Sequence, residues 1–379
     1  MFELDEDHER FAQTCRRFVD QEVVPLVEQS ERQGTFPAKL WRLLGDAGLL
    51  GLLIPEEMGG SEADGLAVVV LAEQLSRASG GLAITPLVSA YMAGPHIVRY
   101  GSDQQRERYL PSMAAGETVA AIAVTEPGAG SDVAGITATG RPVDGGYLLN
   151  GTKMFITNAG LADVLIIAVK TDPAAGHRGI TTFLVEAGAP GLVLGPPLNK
   201  MGWRSSDTRE VVLNDCFVST DQVLGEVDRG FYQIMAAFQL ERLGLAAMGV
   251  GLADAALDDA EAYARDRSAF GKSLSELQAI RHRLAAMRTH VEAARLLTYQ
   301  GAHRLDAGHP EADRTVAMAK YLGARVANQA ADEAVQIFGG LGFMDETSVA
   351  RHYRDARILR IGGGTDEIQL EILAKRSSA

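Results

Sequence analysis

Between Gly230 and Ala256 the sequence carries only three charged residues, Glu241, Arg242 and Asp254. Ile234, Phe238, Glu241, Leu245, Met248 and Leu252 follow one another at spacings of four, three, four, three and four, the period of one helix face. Glu241 is therefore expected on an apolar seam. A carboxylate there loses hydration, and its basicity rises unless a cation or hydrogen-bond donors compensate. Two readings follow. Glu241 is a structural carboxylate paired with Arg242 or another arginine, or it is a general base raised to suit a weak carbon acid.

Other patterns exclude themselves. Gly271-Lys272-Ser273 has the ending of a phosphate-binding loop, but Asp266 stands where the first Gly belongs, and a helix rather than a strand precedes it. Gly128-Ala129-Gly130 lacks the third Gly of a nicotinamide-dinucleotide loop, since Val133 occupies that position. The eight histidines show no metal-ligand spacing, so no metal is expected. No Gly-x-Ser-x-Gly nucleophile elbow occurs. With 36 Lys+Arg against 49 Asp+Glu, the net charge of −13 leaves no basic surplus for nucleic acid or an anionic membrane. The two cysteines, Cys15 and Cys216, are isolated, which suits a reducing compartment. The acidic first residues do not read as a signal peptide. No uncharged apolar run is expected to reach the roughly 20 residues of a membrane span. A cytoplasmic protein follows from these expectations.

The elements that must hold Glu241 divide the chain in three. Residues 1–117 read as an N-terminal helical domain, with Phe11, Cys15, Phe18 and Val19 at helical spacing and Pro25 near the end of that helix. Residues 118–226 read as a small antiparallel β domain. Its strand candidates are the run at 118–125, Tyr147–Leu149, Val164–Lys170, Thr181–Val185 and Val211–Leu213, with a hairpin turn at Asp144-Gly145-Gly146. Residues 227–379 read as a C-terminal four-helix bundle. Leu277, Ile280, Leu284, Met287, Val291 and Ala294 form one seam, and Val316 through Phe338 another helix. The fold class is α+β multidomain.

Longer motifs lie in register along these three parts. Residues 123–135, Ala-Val-Thr-Glu-Pro-Gly-Ala-Gly-Ser-Asp-Val-Ala-Gly, resemble the first signature of the acyl-CoA dehydrogenase family. Residues 150–159, Asn-Gly-Thr-Lys-Met-Phe-Ile-Thr-Asn-Ala, are similar to its flavin-flanking hairpin. Arg267-Ser-Ala-Phe-Gly271 with Gln278, and Gln336-Ile-Phe-Gly-Gly340, resemble its two dinucleotide-contact stretches. Arg354-Asp-Ala-Arg-Ile and Gly364-Thr-Asp-Glu-Ile368 resemble its C-terminal signature.

The resemblance implies FAD-dependent α,β-dehydrogenation of an acyl-CoA thioester, a base taking the α-proton while hydride leaves the β-carbon. It implies Thr125, Ser131 and Thr157 at the isoalloxazine ring and pyrophosphate region, Ser131 also near the substrate, and Phe155 against one ring face, where many members carry Trp. Arg267, Phe270, Gln278, Gln336 and Gly340 would hold the ADP half across a subunit boundary, in a homotetramer built as a dimer of dimers. Thr365 joins the cofactor set, Arg242 would face the CoA nucleotide, and an electron-transfer flavoprotein would take the electrons. Most members place an aromatic residue and the catalytic Glu just before Gly-Thr of the last signature, where this chain has Gly362 and Gly363. A subset, the isovaleryl- and long-chain-type enzymes, carries its base on the earlier bundle helix followed by Arg, the placement of Glu241-Arg242. There the backbone N–H of Gly363 would bind the thioester carbonyl, and the two glycines would leave room for a branched or bulky acyl chain. The alternatives are action on a carrier-protein-bound acyl group, oxygen as acceptor, or a non-catalytic FAD-binding subunit.

Overall fold

The computed structural model describes residues 4–377. The N-terminal part is helical: α1 Glu6–Phe18, α2 Val24–Gln33, α3 Ala38–Asp46, α4 Gly65–Ala78, α5 Gly80–Pro86, α6 Gly94–Tyr100 and α7 Asp103–Ala114. Asp5, Asp64, Ser79 and Ser102 cap α1, α4, α5 and α7, each side chain accepting from a first-turn N–H. The sequence places Pro25 near the end of the first helix, and the structure corrects this. The chain runs from α1 into α2 through a π turn at Val19–Val23, and Pro25 lies at the start of α2, where a missing N–H costs little. The expectation of no membrane-length apolar run is also corrected. Gly80–Tyr100 forms a helical run of 21 residues that is apolar and long enough to cross a bilayer, but 89% of its apolar window is buried inside the protein. Core packing accounts for its composition.

The middle part holds β1 Ala120–Ala123, β2 Thr139–Val143, β3 Gly146–Thr157, β4 Val164–Lys170, β5 Ile180–Glu186, β6 Leu192–Leu194 and β7 Thr208–Ser219. They form one sheet in the order β1-β4-β2-β3-β7-β6, with β5 also on β4. The β2–β3 hairpin turns at Asp144-Gly145, where Gly145 has φ +74°. The sheet is antiparallel apart from β1 and a single bridge from β2, both of which run parallel to β4. β1 is followed by a long loop and the β2–β3 hairpin before the chain returns as β4, so no tight turn forces those two strands antiparallel. β3 runs far beyond Tyr147–Leu149, and two bulges break the alternation that would have shown its full length in the sequence.

The C-terminal part holds α8 Gly230–Asp266, a short hairpin (β8 Ser268–Ala269, β9 Lys272–Ser273), α9 Gln278–Asp306, α10 Ala312–Phe338, α11 Ser348–Arg357 and α12 Asp366–Ser377. Three long helices pack together, with α11 and α12 against α10 where a four-helix bundle would have one more long helix, and α4 lies along α8. Added Cβ atoms on Gly249 and Gly251 would run into Gly323 of α10 and Glu73 of α4, so these two glycines let α8 sit close between its neighbours. Asp355 on α11 joins all three parts, accepting from Gly80 N at 3.2 Å and Trp203 N at 2.7 Å.

Candidate active site

α8 buries Ile234, Leu245, Met248 and Leu252 and half-buries Phe238 and Glu241, as the stripe requires. Glu241 retains some surface access, yet among the described residues it has no hydrogen-bond or ion-pair partner. Burial pushes its carboxyl up to about 7, against the opposing positive charges of Arg242 and Lys320. The structural ion pair with Arg242 is not formed. Arg242 is buried, and its Nε donates to Gly363 O at 3.4 Å. Its guanidinium reaches the Gly363 carbonyl at this turn.

The turn before α12 brings the second reactive group beside Glu241. Gly363 and Gly364 have φ of +63° and +90°, both left-handed. A Cβ on Gly363 would lie 3.4 Å from Glu241 Oε1 and would overlap Leu245 Cδ1. The expected room at this glycine pair is thus found only at Gly362, whose added Cβ would meet only Ile358 O, at 3.7 Å. Gly363 O accepts from Arg242 and, at 3.3 Å, from Gln369 Nε2. Gly364 O accepts from Lys320 Nζ at 2.6 Å and Gln369 Nε2 at 3.1 Å. The N–H of Gly363 has no acceptor among the described residues. Thr365 is engaged locally, its Oγ1 accepting from Ile368 N at the start of α12.

A second group lies on the β domain. Val124, Ala129 and Val133 pack against Ile234 and Phe238, which seats the 124–133 loop on the α8 face leading to Glu241. Met154 N donates to Thr125 O at 2.9 Å, so Thr125 lies at the bulge between Lys153 and Ile156. In that bulge Phe155 is held at φ +62° with 66% of its surface exposed. An exposed aromatic in strained backbone marks a binding face more often than a core position. The side-chain hydroxyls of Thr125, Ser131 and Thr157 have no partner among the described residues, and Asn158 Oδ1 is buried without a donor. Added Cβ atoms on Gly128 and Gly130 would meet nothing. An aromatic face, free hydroxyls and open glycine backbone fit a planar heteroaromatic ring joined to a phosphate chain.

The remaining expected residues gather elsewhere. Tyr263 stacks on Phe338 with ring centroids 4.2 Å apart, which brings the ends of α8 and α10 together. Arg267, Phe270, Gln278, Gln336 and Gly340 all lie at this end and are exposed. Arg267, Gln278 and Gln336 have no side-chain partner among the described residues. Arg267 caps the C-terminus of α8 and is roughly 39 Å from Glu241 at 1.5 Å per helical residue. Two cavities of about 670 and 640 Å³ open near Arg357 and near Trp41, and neither is lined by Glu241 or Gly363.

Three residues enter the site without having been singled out in the sequence. Lys153, 0% exposed, donates to Glu126 Oε1 at 2.7 Å, and Glu126 also accepts from Thr137 N and Oγ1 and from Ala138 N. This satisfied pair braces the loop that carries Thr125 and Ser131. Lys320 sits on a buried face of α10 with Val316, Ala317 and Ala319. The same test that exposes Glu241, a charge on an apolar stripe, would have exposed it.

Comparison with known proteins fits this arrangement. Family profiles match residues 5–117 (acyl-CoA dehydrogenase, N-terminal domain), 121–216 (middle domain) and 228–378 (C-terminal domain). The chain is 39% identical over 374 residues to human short-chain specific acyl-CoA dehydrogenase, mitochondrial, covering 98% of this chain and 90% of that one. It is 38% identical over 369 residues to 3-(aryl)acrylate reductase of Clostridium sporogenes, covering 97% and 98%. The structure of butyryl-CoA dehydrogenase from Megasphaera elsdenii superposes with a TM-score of 0.96 at 36% identity, covering 100% of both chains. The three parts of the fold and the flavin-type surface define a flavoprotein oxidoreductase whose cofactor is FAD. The chain belongs to the acyl-CoA dehydrogenase family.

Proposed function

We propose that this protein dehydrogenates an acyl-CoA thioester to the trans-2-enoyl thioester, with Glu241 as the base and the Gly363 N–H as donor to the thioester carbonyl. The observation that carries the reading is a carboxylate beside a backbone donor, both without a partner among the described residues. An α-proton next to a thioester is weakly acidic, so its removal needs a base and a donor for the charge that grows on the carbonyl oxygen. With its carboxyl raised to about 7, Glu241 is a stronger base than an ordinary carboxylate and still substantially ionised near neutral pH. Gly363 presents its N–H while its own carbonyl is held by Arg242 and Gln369. FAD, when bound, supplies the redox chemistry by accepting the hydride from the β-carbon.

Thr125, Ser131 and Thr157 would hold the ring and the pyrophosphate region, with Phe155 against a ring face, and Thr365 would approach through its backbone. One dinucleotide cannot span the distance from this site to Arg267 and Gln336 of the same chain. That separation supports a homotetramer, a dimer of dimers in which those residues hold a neighbour's ADP half. The 94% exposure of Phe270 and 83% exposure of Phe343 support a covered surface there. The open side of Gly362 supports a branched acyl chain. A cytoplasmic protein passing electrons to an electron-transfer flavoprotein completes the reading.

A second reading runs the step in reverse, with Glu241 returning the proton to the α-carbon. The relative named 3-(aryl)acrylate reductase favours it. The deciding experiment is an anaerobic screen of straight and branched acyl-CoA thioesters for bleaching of the bound flavin. A parallel screen tests arylacrylates and their thioesters for reoxidation of the reduced protein. Wild type is expected to bleach with acyl-CoA, and Glu241→Gln to bind the same thioesters without bleaching, slowed by about 10²–10⁴-fold or more. Bleaching by the variant within a few-fold of wild type would make Glu241 a structural carboxylate.

A further inference from the structure

We infer that Lys320 is a positioning residue for this reaction: from α10 it fixes the Gly363–Gly364 turn so that the free N–H of Gly363 stays aimed beside Glu241. The inference rests on the roles proposed above for Glu241 and Gly363.

Lys320 is 1% exposed. No carboxylate pairs with it within 4 Å among the described residues, and its ammonium donates to one acceptor, Gly364 O, at 2.6 Å. A buried lysine without a carboxylate partner is costly. The cost falls at a place where it has a use. Two successive left-handed glycines have wide conformational freedom, so the backbone alone does not fix where the Gly363 N–H points. The carbonyls of these two residues are held by side chains from three helices: Arg242 on α8, Lys320 on α10 and Gln369 on α12. The Arg242 and Gln369 bonds run from 3.1 to 3.4 Å, at the long end for N–H···O, and Lys320 supplies the short, charge-assisted one.

Lys320 also acts through charge. Arg242 and Lys320 are the two charges that oppose the rise of Glu241. Burial pushes Lys320 itself down to about 8, while Asp366, Glu241 and Glu367 favour its charged form and Arg242 opposes it. Removing the ammonium therefore loosens the turn and raises the pKa of the base together.

Lys320→Met tests both effects in the FAD-loaded protein. The turn is read from the infrared carbonyl band of bound crotonyl-CoA labelled with ¹³C at C1, a measurement independent of turnover. The base is read from the acid limb of kcat/KM against pH, using the thioester found most active in the screen. The expected result has three parts. The carbonyl band moves back toward its position in free thioester, the acid limb moves to higher pH, and kcat falls about 10–100-fold with KM within about threefold, somewhat less than outright loss of an oxyanion donor. An unchanged band and an unchanged acid limb overturn the inference whatever the rate. If Lys320→Met does not retain FAD, Lys320→Gln takes its place: a neutral donor should preserve the band and still raise the acid limb, and an unmoved limb overturns the inference. Glu241→Gln serves as the control. It should keep the shifted carbonyl band without turnover. Ready turnover in that variant removes the proposed base, while the band in Lys320→Met still judges the turn.

Discussion

Glu241 Oε1 stands 3.4 Å from the point where a Cβ on Gly363 would sit. That is van der Waals contact, so the α8 carboxylate lines one side of position 363, which is bare backbone with its N–H free among the described residues. Leu245, one turn along the same helix, closes the other side of that position.

Gly363→Ala is therefore expected to damage chemistry more than binding. Alanine at φ +63° costs about 1–2 kcal/mol, and its Cβ pushes aside Leu245, one turn from Glu241. The expected outcome is a fall in kcat of at least tenfold for every acyl chain, with FAD still bound. Gly362→Ala, on the open side, should instead discriminate, losing branched thioesters before straight ones. Stopped-flow flavin reduction with a matched pair of branched and straight acyl-CoAs checks both. Equal losses on the two chains in Gly362→Ala would remove the steric argument for a branched substrate.

Glu241 was legible in the sequence because helical periodicity makes one charge among Ile234, Phe238, Leu245 and Met248 stand out. Lys320 shows the same signal more faintly, a charge beside Val316 and Ala317, because the alanines and glycine around it blur which face of α10 is buried until Gly323 is seen packed against Ala246. The Glu126–Lys153 pair joins residues from a loop and a strand, and only the apposition of that loop with β3 brings them together. β2 escapes a strand reading because Gly140 and Pro142 look like a turn, and β6 because it is three residues long. The three-part organisation was readable throughout, since the change from helical to alternating apolar pattern and back is a property of long segments. The turn at Gly363 was readable only as a missing side chain, and its three carbonyl anchors depend on packing between distant helices.

Lys153→Met should show how firmly the flavin-side loop is braced. Both members of the pair are buried, at 0% and 5% exposure. Burial alone would push Glu126 upward, but Lys153 and the Thr137 and Ala138 N–H groups hold it below the ordinary carboxylate value. Removing the ammonium leaves a buried carboxylate with only neutral donors, a change that typically costs about 3–5 kcal/mol. A lower urea midpoint and weaker FAD retention are expected together, because the loop holds Thr125 and Ser131. A variant with an unchanged midpoint would show that the neutral donors suffice.

Arg267→Ala should separate cofactor retention from folding. The Arg267 side chain is exposed and has no partner among the described residues of its own chain, so stability should change by no more than about 0.5 kcal/mol. If Arg267 holds a neighbour's FAD, the FAD-to-chain ratio after gel filtration should fall well below wild type while circular dichroism is unchanged. Sedimentation of the wild type should show a tetramer. A monomer carrying FAD at full occupancy would rule out the shared site.

Raising the Glu241 carboxyl also costs stability. The Glu241 carboxyl has an ordinary value of 4.5 and stands at about 7 in the folded protein. The folded state therefore holds the proton more tightly than the unfolded chain. Below about 4.5 both states are protonated and Glu241 contributes no penalty; as pH rises toward 7 the unfolded chain releases its proton first and stability falls; above 7 the penalty is complete. At about 1.4 kcal/mol per unit the full penalty is about 3 kcal/mol. Its expression is smaller because Glu241 is partly accessible to solvent. Glu241→Gln keeps the shape and cannot ionise. The FAD-loaded variant is thus expected to be more stable than wild type by about 1–3 kcal/mol at pH 8. That advantage should shrink toward zero at pH 5, in urea unfolding followed at both pH values. The sign runs opposite to the usual carboxylate that stabilises a protein when ionised. An advantage equal at pH 5 and pH 8 would trace to something other than ionisation, and the case for Glu241 as a strained, working base would lose its thermodynamic half.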